Sequence, residues 1–237
     1  MKPTLALLLA AVLLTSCTQY QYLTVSGVNV SKNEYNELIS ENDTMRVEYR
    51  FTQENGFVTV RLYNKTNAPL EVEWRKSAII IDDRTVGYYD GKQSINGQIE
   101  SSSWQFARRT STSGDLKGEI QTSEQVQFIP PQSYVESRPL AIPLSPLPAL
   151  PEEKAEHLSF HYSGENAIKY KRFPFEFENA PAKFRSYLTL RMGKTGSQQE
   201  FSVEHLFYVS EIWKSNSGPQ FFDVSLLNRS DRFYLAR

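Results

Sequence analysis

One cysteine, Cys17, and three histidines are the whole supply of thiol and imidazole in 237 residues. Without a second cysteine an intramolecular disulfide is excluded, and a Cys-based zinc site lacks its sulfur partners. His157 and His161 form an H-x-x-x-H pair, but no Glu lies between them, so the H-E-x-x-H metalloprotease pattern is missing. In an extended "HLSFHY" the two rings would share a face about 13 Å apart, while His205 is remote in sequence. No metal site and no cofactor is expected. The G-x-S-x-G nucleophile signature is absent too. Charge of one sign is also lacking: 26 basic residues face 27 acidic ones with no long block of either. Nucleic acid is therefore not an expected partner. Past residue 16 no apolar run reaches the 18 residues or so of a membrane span, and no repeat of fixed period is found.

What is present begins at the N-terminus. Lys2 precedes ten apolar residues, Leu5 to Leu14. As a helix these would rise about 15 Å, half the bilayer core, which describes an export signal better than a span. An ordinary secretory site would place small residues at −3 and −1 and leave Cys17 a stray thiol. Here the run ends Leu14-Thr15-Ser16-Cys17, which resembles the lipobox of bacterial lipoproteins. The resemblance implies that residues 1–16 are a removed signal peptide and that Cys17 is the lipidation site, acylated (palmitate-type chains) on its sulfur and new amino group. Each buried acyl CH₂ contributes about 0.8 kcal/mol and stable anchoring takes two or more chains. Thr18 in place of Asp implies the outer membrane by the sorting rules of such proteins. "TQYQY" lacks the acidic run linked to surface export, so the periplasmic side is expected. Without Lys2 the chain 17–237 carries 25 basic and 27 acidic residues, a formal −2.

Period-2 alternation dominates this chain. In "TMRVEYRFT" Met45, Val47, Tyr49 and Phe51 face one way. In "GFVTVRLYN" Val58, Val60 and Leu62 do so, and Glu54-Asn55-Gly56 reads as the hairpin turn between the two. "LEVEW" puts Leu70, Val72 and Trp74 together, and "SAIII" reads as a strand covered on both faces. These segments predict an antiparallel meander closed by a second sheet. Phe173, Phe175 and Phe177 share a face, as do Phe184, Ser186, Leu188 and Leu190. "EFSVEHLFYVSEIW" and "FFDVSLLN" read as strands, and "RFYLAR" as a last edge strand. The fold class expected is all-β: an antiparallel β-sandwich, Ig-like or jelly-roll-like, with one or two short helices. One helix candidate starts at the capping-box pattern Ser31-Lys32-Asn33-Glu34, followed by Tyr35, Leu38 and Ile39.

Four of the 11 glycines fall in 91–123, and 107–119 reads as a loop, with an irregular hairpin as the alternative. Seven of the 12 prolines lie between Pro130 and Pro151. "PLSPLPALP" predicts an extended, polyproline-like segment. The division expected is 1–16 signal, 17–142 β-sandwich domain, 143–152 Pro-rich linker or strap, and 153–237 a second β-rich lobe or the completion of the same sandwich.

Several short motifs invite chemistry. Gly193-Lys194-Thr195-Gly196 lacks the earlier Gly of a P-loop, since position 188 is Leu, and none of the 12 lysines has Ser three places before it, as a penicillin-recognising enzyme requires. A hairpin loop is the better reading. Asp82-Asp83 sits in turn composition, "IDDRTVG". Asn42-Asp43-Thr44, Asn64-Lys65-Thr66 and Asn228-Arg229-Ser230 match the N-glycosylation acceptor, and Asp43-Thr44-Met45 resembles a periplasmic O-glycosylation acceptor of Bacteroidota. No catalytic, cofactor-binding or metal residue is assigned.

Residues 17–140 also resemble uncharacterised Bacteroidota-type envelope lipoproteins. The pattern N-K-T-x-x-P-x-x-x-x-W-x-x-S appears at Asn64, Lys65, Thr66, Pro69, Trp74 and Ser77, with "IPP" at Ile129-Pro130-Pro131. That resemblance implies location and a β-rich fold, and no activity. The function expected is a non-catalytic, lipid-anchored envelope protein: a binding or assembly subunit with the membrane, through Cys17, and an envelope protein as partners. The alternative is a glycan-binding or glycan-degrading lipoprotein, in which Trp74, Trp104 or Trp213 would stack on sugar.

Overall fold

A computed structural model describes residues 19–52, 54–89, 93–106, 109–122, 125–144, 147–161, 167–193, 198–222 and 229–236. Cys17 lies outside them. The protein is an antiparallel β-sandwich of two packed sheets with a separate two-stranded ribbon. The larger sheet holds β1 (Tyr20–Gly27), β6 (Leu70–Glu73), β7 (Ala78–Ile81), β8 (Arg84–Gly87), β11 (Val126–Ile129), β14 (Glu156–His161), β15 (Ala167–Pro174), β16 (Lys183–Met192), β17 (Gln199–Ser215) and β18 (Arg232–Ala236). The smaller holds β2 (Ser31–Lys32), β3 (Leu38–Glu41), β4 (Met45–Thr52), β5 (Phe57–Asn64), β12 (Tyr134–Glu136) and β13 (Leu140–Ala141). The ribbon pairs β9 (Gln93–Phe106) with β10 (Arg109–Thr122).

The spine is β17, 17 residues long. Along one edge it pairs with β16 and then β15; along the other it pairs with β1. β18 adds beyond β1, so the last strand lies beside the first. Strands from both sides of residues 143–152 thus share the larger sheet. The core lies between the sheets, where the alternation of the sequence places it. Val47, Tyr49 and Phe51 of β4 and Val58, Val60 and Leu62 of β5 are all at most 1% exposed. Across from them Phe184 and Phe207 stack at 5.4 Å, and Tyr49 and Phe51 meet Phe207 edge-on. Such ring pairs contribute about 0.5–1.5 kcal/mol each beyond their burial.

Three expectations need correction. The segment from Ser31 is not a helix: β2, a turn and β3 replace it. Asn33 Oδ1 accepts from the amides of Tyr35 and Glu37, and Asn36 takes φ 58°, so a local side-chain turn outcompetes a two-turn helix. Residues 109–122 form β10 rather than a loop, because a backbone ladder forms without the apolar alternation that marks strands in sequence. The strands from Met45 to Ile81 do not form one meander. β4 and β5 pair in the smaller sheet, whereas β6 and β7 cross to the larger one, where both flank β16.

The proline-rich segment is a strap on the core. Leu144, Leu147 and Leu150 are 5–8% exposed and join the main apolar cluster with Ile142. Their spacing of three is that of polyproline II, which repeats one side every third residue. The turn at Asn55-Gly56 has the expected positive φ at both residues, 64° and 66°. A Cβ on Gly56 would also stand 2.7 Å from the Phe233 ring of β18. Gly56→Ala should therefore lower stability by about 2 kcal/mol, read as a shift of the urea midpoint with unchanged slope.

Candidate functional site

The residues of the N-K-T-x-x-P-x-x-x-x-W-x-x-S pattern build the corner that carries the chain from one sheet to the other. Asn64, fully buried, donates from Nδ2 to the carbonyls of Ala68 (2.8 Å), Ile129 (3.1 Å) and Pro130 (3.2 Å), which ties the "IPP" segment to the turn. Its Oδ1 accepts from the amide and hydroxyl of Thr66. Trp74 is 5% exposed and donates from Nε1 to Gln127 Oε1. β16 pairs with β7 up to Tyr187 and with β6 from Leu190, and Ser77 fills the gap: its Oγ accepts the Thr189 amide and donates to the Glu73 carbonyl. The pattern is thus architectural, and Asn64 is too buried and too engaged to accept a glycan in the folded state. Asn64→Ala would remove a donor from the buried Ile129 carbonyl, while the Ala68 and Pro130 carbonyls keep the Thr66 and Ser133 hydroxyls, and should cost about 1–3 kcal/mol in a denaturant titration.

A polar string crosses the core. The Tyr49 hydroxyl lies 2.8 Å from His205 Nδ1, and the neighbouring Tyr88 and Ser186 hydroxyls are 3.1 Å apart. Burial pushes the His205 imidazole down to about 4 and the Tyr49 hydroxyl well up, so the hydrogen bond joins a neutral ring to a neutral phenol. His205 is 2% exposed, and the string serves packing and register rather than catalysis. Nothing in the sequence marked His205 as different from the other two histidines except its place inside an alternating strand. An unfolded histidine titrates near 6.5, so the unfolded chain binds more protons between pH 6.5 and 4. Stability should therefore fall by up to roughly 3 kcal/mol as pH drops through that window. His205→Gln should flatten that part of the stability curve.

The other sequence candidates separate in space. Asp82 and Asp83 take φ 46° and 62° in the exposed two-residue turn from β7 to β8, a solvated hairpin as expected. β16 and β17 pair down to Met192 and Gln199, so Gly193 leaves a strand and the GKTG segment joins adjacent strands; 194–197 lie outside the described residues. His157 is exposed on β14 opposite Lys171, and His161 begins the end of that strand opposite Ala167. Among the described residues no group of three His, Cys, Asp or Glu is placed to hold a metal. Asn42 uses its Oδ1 to accept the amides of Thr44 and Met45. Trp74 and Trp213 are both buried; Trp104 is outside the described side chains.

One concave site was not foreseen. At the end of the larger sheet where β1 begins, a cavity of about 570 Å³ opens, lined among others by Gln19, Glu152, His157, Lys169, Lys171 and Lys214. Register explains its charge. His157, Lys171, Lys214 and Gln21 are consecutive cross-strand partners on β14, β15, β17 and β1. Two lysines therefore stand directly opposite each other, which is destabilising in a sheet. Glu152, from the short 3₁₀ turn Glu152–Lys154, sits between them, with Oε2 2.8 Å from Lys171 Nζ and Oε1 3.2 Å from Lys214 Nζ. The Lys171 and Lys214 ammonium groups hold this carboxyl below its usual range.

Behind the same strands a second aromatic cluster covers the outer face: Tyr22, Trp213 and Phe222, flanked by Tyr20, Tyr170 and Tyr234. Arg232 lies 4.0 Å over the Trp213 ring and donates to Thr24 Oγ1 and Glu211 Oε1. Glu211 also accepts from Arg172, which reaches Glu156 on β14. These ion pairs tie β14, β15, β17 and β18 together behind the cavity, and the Thr24 hydroxyl adds β1. Compared with known proteins, the chain matches no family model, no curated protein and no solved structure.

Proposed function

We propose that this protein is a lipid-anchored component of the bacterial cell envelope, held in the outer membrane through acylated Cys17 with its domain on the periplasmic side. The β-sandwich is a non-catalytic module that binds a partner or serves as an assembly subunit. The observation that carries the reading is the ten-residue apolar run ending in Leu14-Thr15-Ser16-Cys17. Two facts of the fold agree with it. The first strand starts at Tyr20, three residues past Cys17. Three residues span at most about 10 Å, so the domain would sit against the headgroup layer. Two of the buried titratable groups, His205 and Tyr49, are sealed in the core and present no reacting atom to a substrate.

The glycan reading draws less support, because Trp74 and Trp213 are buried and offer no exposed platform for a sugar ring. The anchor is tested by Cys17→Ser. This variant should lose acyl mass and leave the membrane-anchored pool, with circular dichroism and thermal midpoint of the domain unchanged. Detergent-phase partitioning that is the same in variant and wild type would overturn the reading. Affinity purification of the membrane-embedded protein then identifies the partner.

A further inference from the structure

We propose that the cavity bounded by Lys169, Lys171 and Lys214 binds the phosphate of a membrane lipid headgroup, as a second contact with the bilayer beside the acylated cysteine. The inference rests on the anchor reading and deepens it.

Three observations converge. The first is electrostatic. Lys171 and Lys214 face each other across β15 and β17, and Lys169 lies two residues along the same face of β15, where it pairs with Ser159. A sheet gains nothing from opposed ammonium groups. A local conflict kept within an otherwise consistent fold marks a place where something else is being served. The second is the resident anion. Glu152 places one carboxylate oxygen on each of the two opposed lysines, which shows that the site seats two anionic oxygens with charge-assisted bonds. That carboxylate is half-exposed on a short turn at the end of the strap, at 54%. A phosphate brings more oxygens and can add to or replace it, while Lys214, 17% exposed, holds its ammonium 5.3 Å over the Phe173 ring. The third is position. Gln19 lines the cavity. Cys17 is two residues away, within about 7 Å of chain. If Cys17 carries the anchor, the cavity opens at the depth of the phosphates. Near an anionic surface each lysine adds to the attraction. The three lysines at this end form a local cation excess that the near-neutral charge of the whole chain conceals.

The test uses the mature lipidated protein, extracted in a neutral detergent and presented with micelles doped equally with phosphatidylglycerol and phosphatidylcholine. Native mass spectrometry reads which lipid remains bound. Phosphatidylglycerol adducts should predominate. The double variant Lys171→Gln, Lys214→Gln should reduce the preference about tenfold or more. Glu152→Gln, which removes the competing carboxylate, should increase it. The thermal midpoint of each variant reports folding separately. Equal retention of the two lipids, or a preference untouched by the double variant, overturns the inference. So does inorganic phosphate that displaces phosphatidylglycerol at equal concentration, since the site would then take free phosphate rather than a headgroup. Intact mass of the same sample reports acylation of Cys17: absence of acyl mass overturns the anchor reading, whereas acylated protein without lipid preference overturns this inference alone.

Discussion

The buried carboxylate of Asp231 is the point on which closure of the sandwich depends. It is fully excluded from solvent, yet it accepts two bonds from Arg229 and one from Lys32. Burial by itself would raise its pKa. The Arg229 and Lys32 cations more than offset this and hold it below the usual range. Around it the backbone joins three elements. Val25 of β1 donates to the Asp231 carbonyl, Phe51 of β4 donates to the Ser230 carbonyl, and Lys32 belongs to β2. The backbone of Ser230 and Asp231 thus ties the start of the last strand to β1 of one sheet and β4 of the other, and the carboxylate adds β2 through Lys32. A cysteine-free domain has no disulfide to do this, and a paired buried charge is a geometric substitute: it costs desolvation, but every arrangement that unpairs it costs more.

The rest of the architecture follows from that closure. The long β17 is paired on both edges, by β16 and β15 on one and by β1, with β18 beyond it, on the other, and its two ends do different work. The half near Phe207 lies over the aromatic core shared with β4. The half near Lys214 and Ser215 extends to the β14–β15 hairpin, where one face carries the cationic cavity and the other the Trp213–Arg232 cluster. A strand long enough to serve both regions couples them: the register that buries Ile212 and Val209 also sets Lys214 opposite Lys171. The strap secures the same end, since Leu150 is buried two residues before Glu152 reaches the lysines.

The N-K-T-x-x-P-x-x-x-x-W-x-x-S pattern is explained by the physics of the corner rather than by chemistry on a substrate. A chain that leaves one sheet and enters another must satisfy backbone groups where both ladders stop. Asn64 supplies the bonds to three carbonyls, Thr66 closes the turn, and Ser77 stands in for a missing strand residue opposite Thr189. Short polar side chains are needed there, at fixed spacing, whatever the protein does.

Much of this was legible in order of residues. Alternation placed Met45, Tyr49, Phe51, Val58, Val60 and Leu188 in the core, Asn55-Gly56 and Asp82-Asp83 in turns, and the β-sandwich class itself, because burial on one face of a strand has a period that composition cannot hide. The Leu-x-x-Leu-x-x-Leu spacing inside the prolines likewise holds the strap's inward edge in plain view. What the sequence by itself could not decide was pairing. That β6 and β7 change sheets and that Lys171, Lys214 and Glu152 meet from segments up to 62 residues apart both depend on long-range register. Register is chosen by the tertiary structure, since each strand's local signal is satisfied equally by several partners and only the closed core selects one of them.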